Sequence, residues 1–272
     1  MTIEERIMAR YTDFTPQARR AADVILQHRD DLATFSSAEL AELSGVSRAT
    51  LSRLYRQLGF ASFADLREQA RTLRSRGVPV GDRPVAHEDH LAAEHRNLRR
   101  MLDSTEPSDW DAIAANLRAA RSVTVVGFRN SYPVALHLRE QLTQLRDGVR
   151  LLPLPGQTLA EELVGLTRGD TVILVGFRRR PSGFAAIVRA VADSGADLLL
   201  IADGSARRYT PTATWWIEVP LDSDGPFDSY AAAMSAVAVL ANAVGTAPAT
   251  VAHERITRIA ELYDDLGEIE LS

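Results

Sequence analysis

The stretch Phe35–Phe60, FSSAELAELSGVSRATLSRLYRQLGF, spells two short helices around a glycine turn. Leu40, Leu43, Val46, Leu51, Leu54 and Leu58 recur at spacings that let them converge on one small core, and Ala41 lets the helices approach closely. Gly45 stands where a tight interhelical turn demands a positive φ. Ser47 fits the N-cap of the second helix, where its hydroxyl accepts an orphan backbone N–H, and Gly59 fits the C′ position at the far end. With the leucines inward, Arg48, Thr50, Ser52, Arg53 and Arg56 face mainly outward. The layout is that of a helix-turn-helix whose second helix enters the major groove of double-stranded DNA. The candidate DNA contacts are therefore Ser47, Arg48, Thr50, Ser52, Arg53 and Arg56.

The flanks extend this unit. Thr15-Pro16 reads as an N-cap followed by a proline at the first helical position. Ala18, Ala21, Ala22, Ile25 and Leu26 then form an apolar stripe able to pack across the two motif helices. After Gly59, Ser62 can cap a further helix to about Arg76, with Phe63, Leu66, Ala70 and Leu73 inward. The sequence thus predicts an all-α N-terminal domain over residues 1–77.

A chain of 272 residues is too long for a DNA-reading unit alone. Its 46% hydrophobic and 25% charged content suits a chain that buries a substantial core. Without cysteine, disulfides and thiolate metal sites are excluded. No apolar run approaches a membrane span, and MTIEERIMAR lacks a signal-peptide apolar segment, so a cytoplasmic location is expected. All 31 basic residues are Arg, whose planar guanidinium forks suit phosphate and carboxylate. Residues 44–76 carry seven Arg against Asp65 and Glu68, a net +5, whereas residues 77–272 carry 19 Arg against 26 acids, a net −7. A basic segment on an acidic body fits a DNA-binding domain joined to a separate ligand or oligomerisation domain.

The breaker cluster GVPVGDRP, residues 77–84, marks the boundary. An exposed linker helix is expected over Val85–Leu102 within a linker region of 78–107. Its His87, Glu88 and His90 lack a third convergent ligand, and no metal site is expected. A helix from Ser108 to about Arg121 leads into the second domain. There, β-rich runs at Val123–Val126, Val149–Leu152, Val172–Val175, Leu198–Ile201 and Trp215–Val219 alternate with helical patterns near Pro133–Arg146, Thr158–Leu166, Phe184–Asp193 and Asp228–Ala243. Mostly unbroken apolar strands separated by helices point to an α/β domain with a five-stranded, doubly wound parallel sheet. Gly127 and Gly176 each follow a strand and precede a helix, at the strand ends where open α/β sheets bind ligands. The domain is bounded at 108–249, with a terminal amphipathic helix in 250–272.

TPQARRAADVIL, AELSGVSRATLSRLYRQLGF and SFADLREQ, followed by this α/β half, resemble the RpiR/MurR-type transcriptional regulators. In that family an N-terminal helix-turn-helix precedes a sugar isomerase (SIS) domain. SVTVVGFRNSYPVALHLREQL is similar to the first strand, loop and helix of a SIS domain, and Ser131 falls at the serine that contacts a phosphosugar there. GDTVILVGFRRRPSG is similar to the third strand and its loop. Phosphosugar-binding members carry S-x-S-G-x-T in that loop, whereas this chain has Gly176-Phe177-Arg178-Arg179-Arg180-Pro181. Cationic side chains replace two hydroxyls and a glycine turn.

The two loops can surround an anion, with Arg129, Asn130 and Ser131 in one and Arg178, Arg179, Arg180 and Ser182 in the other forming the expected effector site. Dipole donors at the start of the Asp228 helix would add to it, with Asp228 as N-cap and Ser229 within reach. A small anionic metabolite, a sugar phosphate or sugar acid, is the expected effector. No catalytic residue and no cofactor is expected, because neither glycine loop holds an acid or His. A SIS-type sugar-phosphate isomerase and a regulator whose SIS-like domain only oligomerises stay open as alternatives. Homodimers or tetramers on an inverted-repeat operator complete the expectation.

Overall fold

The computed structural model describes residues 3–27, 32, 36–67, 69, 87–223, 227–246 and 249–268. The chain folds as two units that part after Ala86.

In the first unit, α1 (Ile3–Met8), α2 (Pro16–Gln27), α3 (Ser37–Ser44) and α4 (Arg48–Gln57) are placed by local chemistry. Thr15 Oγ1 accepts from the Ala18 N–H at 3.2 Å, the cap that precedes Pro16. Ser36 and Glu39 form a reciprocal capping box on α3. Gly45 takes φ 61° at the C-cap of α3, and Ser47 Oγ accepts from the Thr50 N–H at 3.2 Å to start α4. The core gathers Ala18, Ala21, Ala22 and Ile25 of α2 around Leu40, Val46, Leu51, Leu54 and Leu58.

Two expectations fail here. Leu43 is 51% exposed, because α3 turns the Ser37, Leu40, Ala41 and Ser44 side toward its neighbours and Leu43 falls off that stripe. Thr50, expected outward, is buried, its hydroxyl 3.0 Å from that of the capping Ser47. Tyr55 supplies bulk to this core that the leucine pattern did not reveal. Ser62 Oγ accepts from Asp65 N–H, and helix continues over 63–67 with Leu66 buried. The expectations for Ala70, Leu73 and the 77–84 breaker lie outside the described residues.

The second unit opens with α5 (His87–Asp103) and α6 (Pro107–Ala119). Then β1 (Ser122–Gly127), α7 (Ser131–Leu145), β2 (Val149–Leu152), α8 (Leu159–Leu163), β3 (Asp170–Val175), α9 (Phe184–Ser194), β4 (Asp197–Ala202), a 3-10 segment (Gly204–Thr212) and β5 (Trp215–Glu218) alternate. Two helices, α10 (Ala231–Gly245) and α11 (Ala249–Leu266), close the chain. The strands order as β2-β1-β3-β4-β5, all parallel, with Val125 opposite Leu151 and Ile173, and Ile173 opposite Leu199. Val123, Val125, Ile173, Val175, Leu199 and Ile201 pack on one face with residues of α6, α7 and α10. Val126, Val172, Leu174, Leu198 and Leu200 pack on the other with Phe184, Val188 and Val191 of α9. Both faces are therefore covered, which accounts for the unbroken apolar strands. The order reverses between β1 and β3, so the loops leaving these strands diverge and open a crevice at their C-terminal ends.

At the opposite strand ends, buried Asp170 accepts from Arg121, from Ser122 Oγ at 2.8 Å and from Thr167 N–H at 3.0 Å. These donors, Arg121 first, hold its carboxyl well below the usual carboxylate range.

The helix expected to be an exposed linker is instead docked on the sheet unit. On α5, Ala93, Asn97 and Met101 are buried, and Met101 joins the sheet core. The helix expected from Asp228 begins at Ala231, with Tyr230 at its N-cap.

Candidate functional site

Arg48, Ala49, Arg53, Arg56 and Gln57 line the solvent side of α4, with Ser47 exposed at its cap and Ser52 half-buried. Arg53 Nε donates to the Ala49 carbonyl at 3.2 Å and Arg56 Nη2 to Ser52 Oγ at 3.2 Å, contacts that align both guanidinium groups along the helix. Of the six expected DNA contacts, only Thr50 is withdrawn into the interior. Ala49 and Gln57 share the face and were not singled out by the sequence. The far end of α4 is anchored from α1 and the turn after it, where Arg6 Nη1 donates to Leu58 O at 2.8 Å and Arg10 Nη1 to Gln57 O at 2.6 Å. Cations on the last carbonyls satisfy orphan acceptors and oppose the negative end of the helix dipole.

In the second unit, the loops after β1 and β3 meet over the switch point and enclose a small pocket of about 40 Å³. It is lined by the 128–131 segment, by Val175–Pro181 and by Phe184. Glycine is required on the β3 side, because a Cβ on Gly176 would stand 2.3 Å from the Phe184 ring. Two non-glycine residues, Arg129 (φ 53°) and Arg179 (φ 66°), adopt left-handed backbone conformations at the rim. Such conformations cost about 1–2 kcal/mol each and gather at functional loops.

Ser131 is buried, and its Oγ accepts from the Phe177 N–H at 3.1 Å. The serine thus ties the two loops together. Arg180 turns inward: its Nη1 donates to Gly176 O at 2.7 Å and to Asp203 Oδ1 at 2.9 Å, and its Nη2 to Ser205 Oγ at 2.6 Å. That side chain is a latch between the β3 and β4 loops. Arg178 is 10% exposed and its Nη2 lies 3.2 Å from Asp228 Oδ1 and 3.8 Å from Asp222 Oδ1. Arg179 Nη2 lies 3.6 Å from Asp228 Oδ2 and is more open. Arg129, Asn130 and Ser182 are exposed, and Arg129 forms no ion pair among the described residues.

Asp228 is therefore no N-cap: it sits before the helix and neutralises Arg178 and Arg179. Ser229 takes part in the local turn instead, its N–H donating to Leu221 O at 3.2 Å and its Oγ accepting from Ala231 N–H at 3.3 Å. Tyr230 packs edge-on to Phe177 with centroids 5.5 Å apart, and burial holds its phenol above the ordinary value, so it stays a neutral donor. Asp203, Ser205 and Asp222 complete the site and were missed by the sequence. Asp203, directly after β4, carried a signal, since an acid at a strand end often caps the next helical turn.

His87, Glu88 and His90 are exposed on α5, and no group of three metal-ligating side chains occurs among the described residues. No helix among the described residues is long and apolar enough to cross a membrane.

These features match known proteins in order. Residues 1–72 match the helix-turn-helix domain of the rpiR family and residues 116–243 match the SIS domain. The HTH-type transcriptional regulator HexR of Pseudomonas aeruginosa is 26% identical over 253 residues, covering 88% of each chain. Among solved structures, the sugar isomerase domain of an RpiR transcription factor from Sphaerobacter thermophilus superposes with a TM-score of 0.59 at 22% identity, over 63% of this chain and 96% of that one. The Vibrio vulnificus NanR protein, solved with ManNAc-6P, superposes with a TM-score of 0.58 at 18% identity, over 97% of this chain and 99% of that one. A DNA-reading head with an arginine-faced second helix, followed by a five-stranded SIS sheet, places this chain among the RpiR-type transcriptional regulators.

Proposed function

We propose that the SIS domain senses a small anionic metabolite, a sugar phosphate or sugar acid, and that its occupancy alters operator binding. The observation that carries this reading is the pocket at the switch point, rimmed by Arg129, Arg178 and Arg179 with two backbone positions held left-handed. Guanidinium groups there favour phosphate or carboxylate. NanR, similar over nearly its whole length, was solved with ManNAc-6P. Arg178 and Arg179 are balanced by Asp228, so Arg129 supplies the uncompensated charge at the mouth.

A regulator fits this pocket better than an isomerase does. Proton transfer beside a carbonyl needs a base within hydrogen-bond reach, and the residues lining the pocket include neither carboxylate nor imidazole. On the DNA side, Arg48, Arg53 and Arg56 read or anchor the duplex, and a homodimer or tetramer places two such helices on an inverted repeat.

A thermal-shift screen of sugar phosphates and sugar acids tests the reading, followed by operator binding with each hit. At least one compound raises the melting temperature saturably, by linkage to the folded state, and changes operator affinity. Arg129→Ala abolishes that shift. Saturable turnover of a hit to its ketose or aldose isomer would contradict the sensor reading, as would a panel without a hit on folded protein.

A further inference from the structure

Arg178 is under-bonded for a buried guanidinium. Its nearest approach to both carboxylates is through Nη2, at 3.2 Å and 3.8 Å, and Nε is buried with no hydrogen-bond partner among the described residues. The more distant carboxylate leads away from the pocket. Asp222 uses Oδ1 toward Arg178 and Oδ2 to accept from Arg100 Nη1 at 2.7 Å. Its carbonyl accepts from buried Asn97 Nδ2 at 2.7 Å. Arg100 and Asn97 both belong to α5, the helix that begins where the DNA-reading unit ends. One aspartate therefore joins the pocket arginine to the helix carrying the connection to the reading head.

We infer that Asp222 is a relay. An anion in the pocket engages Arg178 through Nε and draws it off Asp222, whose pull on Arg100 then strengthens, so that α5 is held more firmly against the sheet unit. The inference rests on the anion-sensing reading and adds the route by which occupancy reaches the connection. A ligand shifts an equilibrium only through contacts that differ between the two states, and here the contact that differs is the Arg178–Asp222 pair. Asp222 and Arg100 are positioning residues, acting on the helix through each other.

The test is hydrogen exchange by mass spectrometry on the full chain. Peptides spanning residues 87–103 are followed with inorganic phosphate, against chloride of matched ionic strength. Phosphate slows exchange there about fivefold or more in the parent protein, the lower end of ordinary allosteric coupling. Arg100→Gln, at a half-exposed position, binds phosphate as the parent does and loses that slowing. Asp222→Asn removes a competitor for Arg178, so it binds phosphate more tightly and also loses the slowing; a merely structural aspartate would weaken both. Saturable phosphate binding with unchanged exchange over 87–103, or undiminished slowing in Arg100→Gln, overturns the relay and leaves the sensor reading standing. Failure of phosphate to saturate the parent protein overturns the relay together with the anion site.

Discussion

Three consecutive arginines, Arg178, Arg179 and Arg180, end in three different environments, and the differences decide what each does. Arg180 meets Asp203, Ser205 and the Gly176 carbonyl and is 11% exposed, so its charge is consumed inside the protein. Arg178 shares two carboxylates, and Arg179 one at 3.6 Å. Across the crevice, Arg129 is exposed in a left-handed conformation that any side chain strains to hold. Mutations at these positions should therefore act in opposite directions. Arg180→Ala leaves Asp203 buried without its cation and costs about 3 kcal/mol of stability, the ordinary cost of breaking a buried pair. Arg129→Gly removes a strained rotamer-bearing residue, so the melting temperature holds or rises while effector affinity falls. Denaturant melts of both variants, read beside effector titrations, check the contrast. A destabilised Arg129→Gly with intact affinity would reverse the roles assigned here.

At the scale of elements, the reading helix depends on α1 and the turn after it, which the sequence did not disclose. MTIEERIM is too short for a clear apolar period, and the role of residues 3–10 appears only when Arg6 and Arg10 meet the carbonyls of Leu58 and Gln57. Replacing both by Ala removes two charge-assisted bonds at the negative end of α4. The first unit then loses about 1–2 kcal/mol, and exchange accelerates first over the last turn of α4. Unchanged exchange at residues 54–58 would contradict this. The strands, by contrast, were legible, because a sheet covered on both faces leaves runs such as VILV and LLLI without polar interruption. The docking of α5 was not, since its buried positions are a small residue, an asparagine and a methionine rather than an apolar stripe. The loops were placed correctly from their glycines. Their charge pairing was hidden, because Asp203, Asp222 and Asp228 lie far from Arg178 and Arg180 along the chain.

For the molecule as a whole, a basic head on an acidic body gives a division of labour. The net +5 over residues 44–76 attracts phosphate backbones, whereas the net −7 over residues 77–272 discourages the body from doing so. One helix of ten residues spans only a few base pairs, which is why the proposed function pairs two copies on a two-fold site. Within that helix, Arg53 stands about one turn beyond the first-turn Arg48 on the open face, where a guanidinium can reach guanine O6 and N7. The measurement that bears most directly on this reading is fluorescence anisotropy with the protein's own promoter fragment and a scrambled duplex, at fixed salt. The parent chain prefers the promoter, and Arg53→Ala lowers promoter affinity about 5- to 150-fold, the equivalent of 1–3 kcal/mol, with a much smaller loss on the scramble. Equal losses on both duplexes, or a parent chain that does not distinguish them, would contradict it.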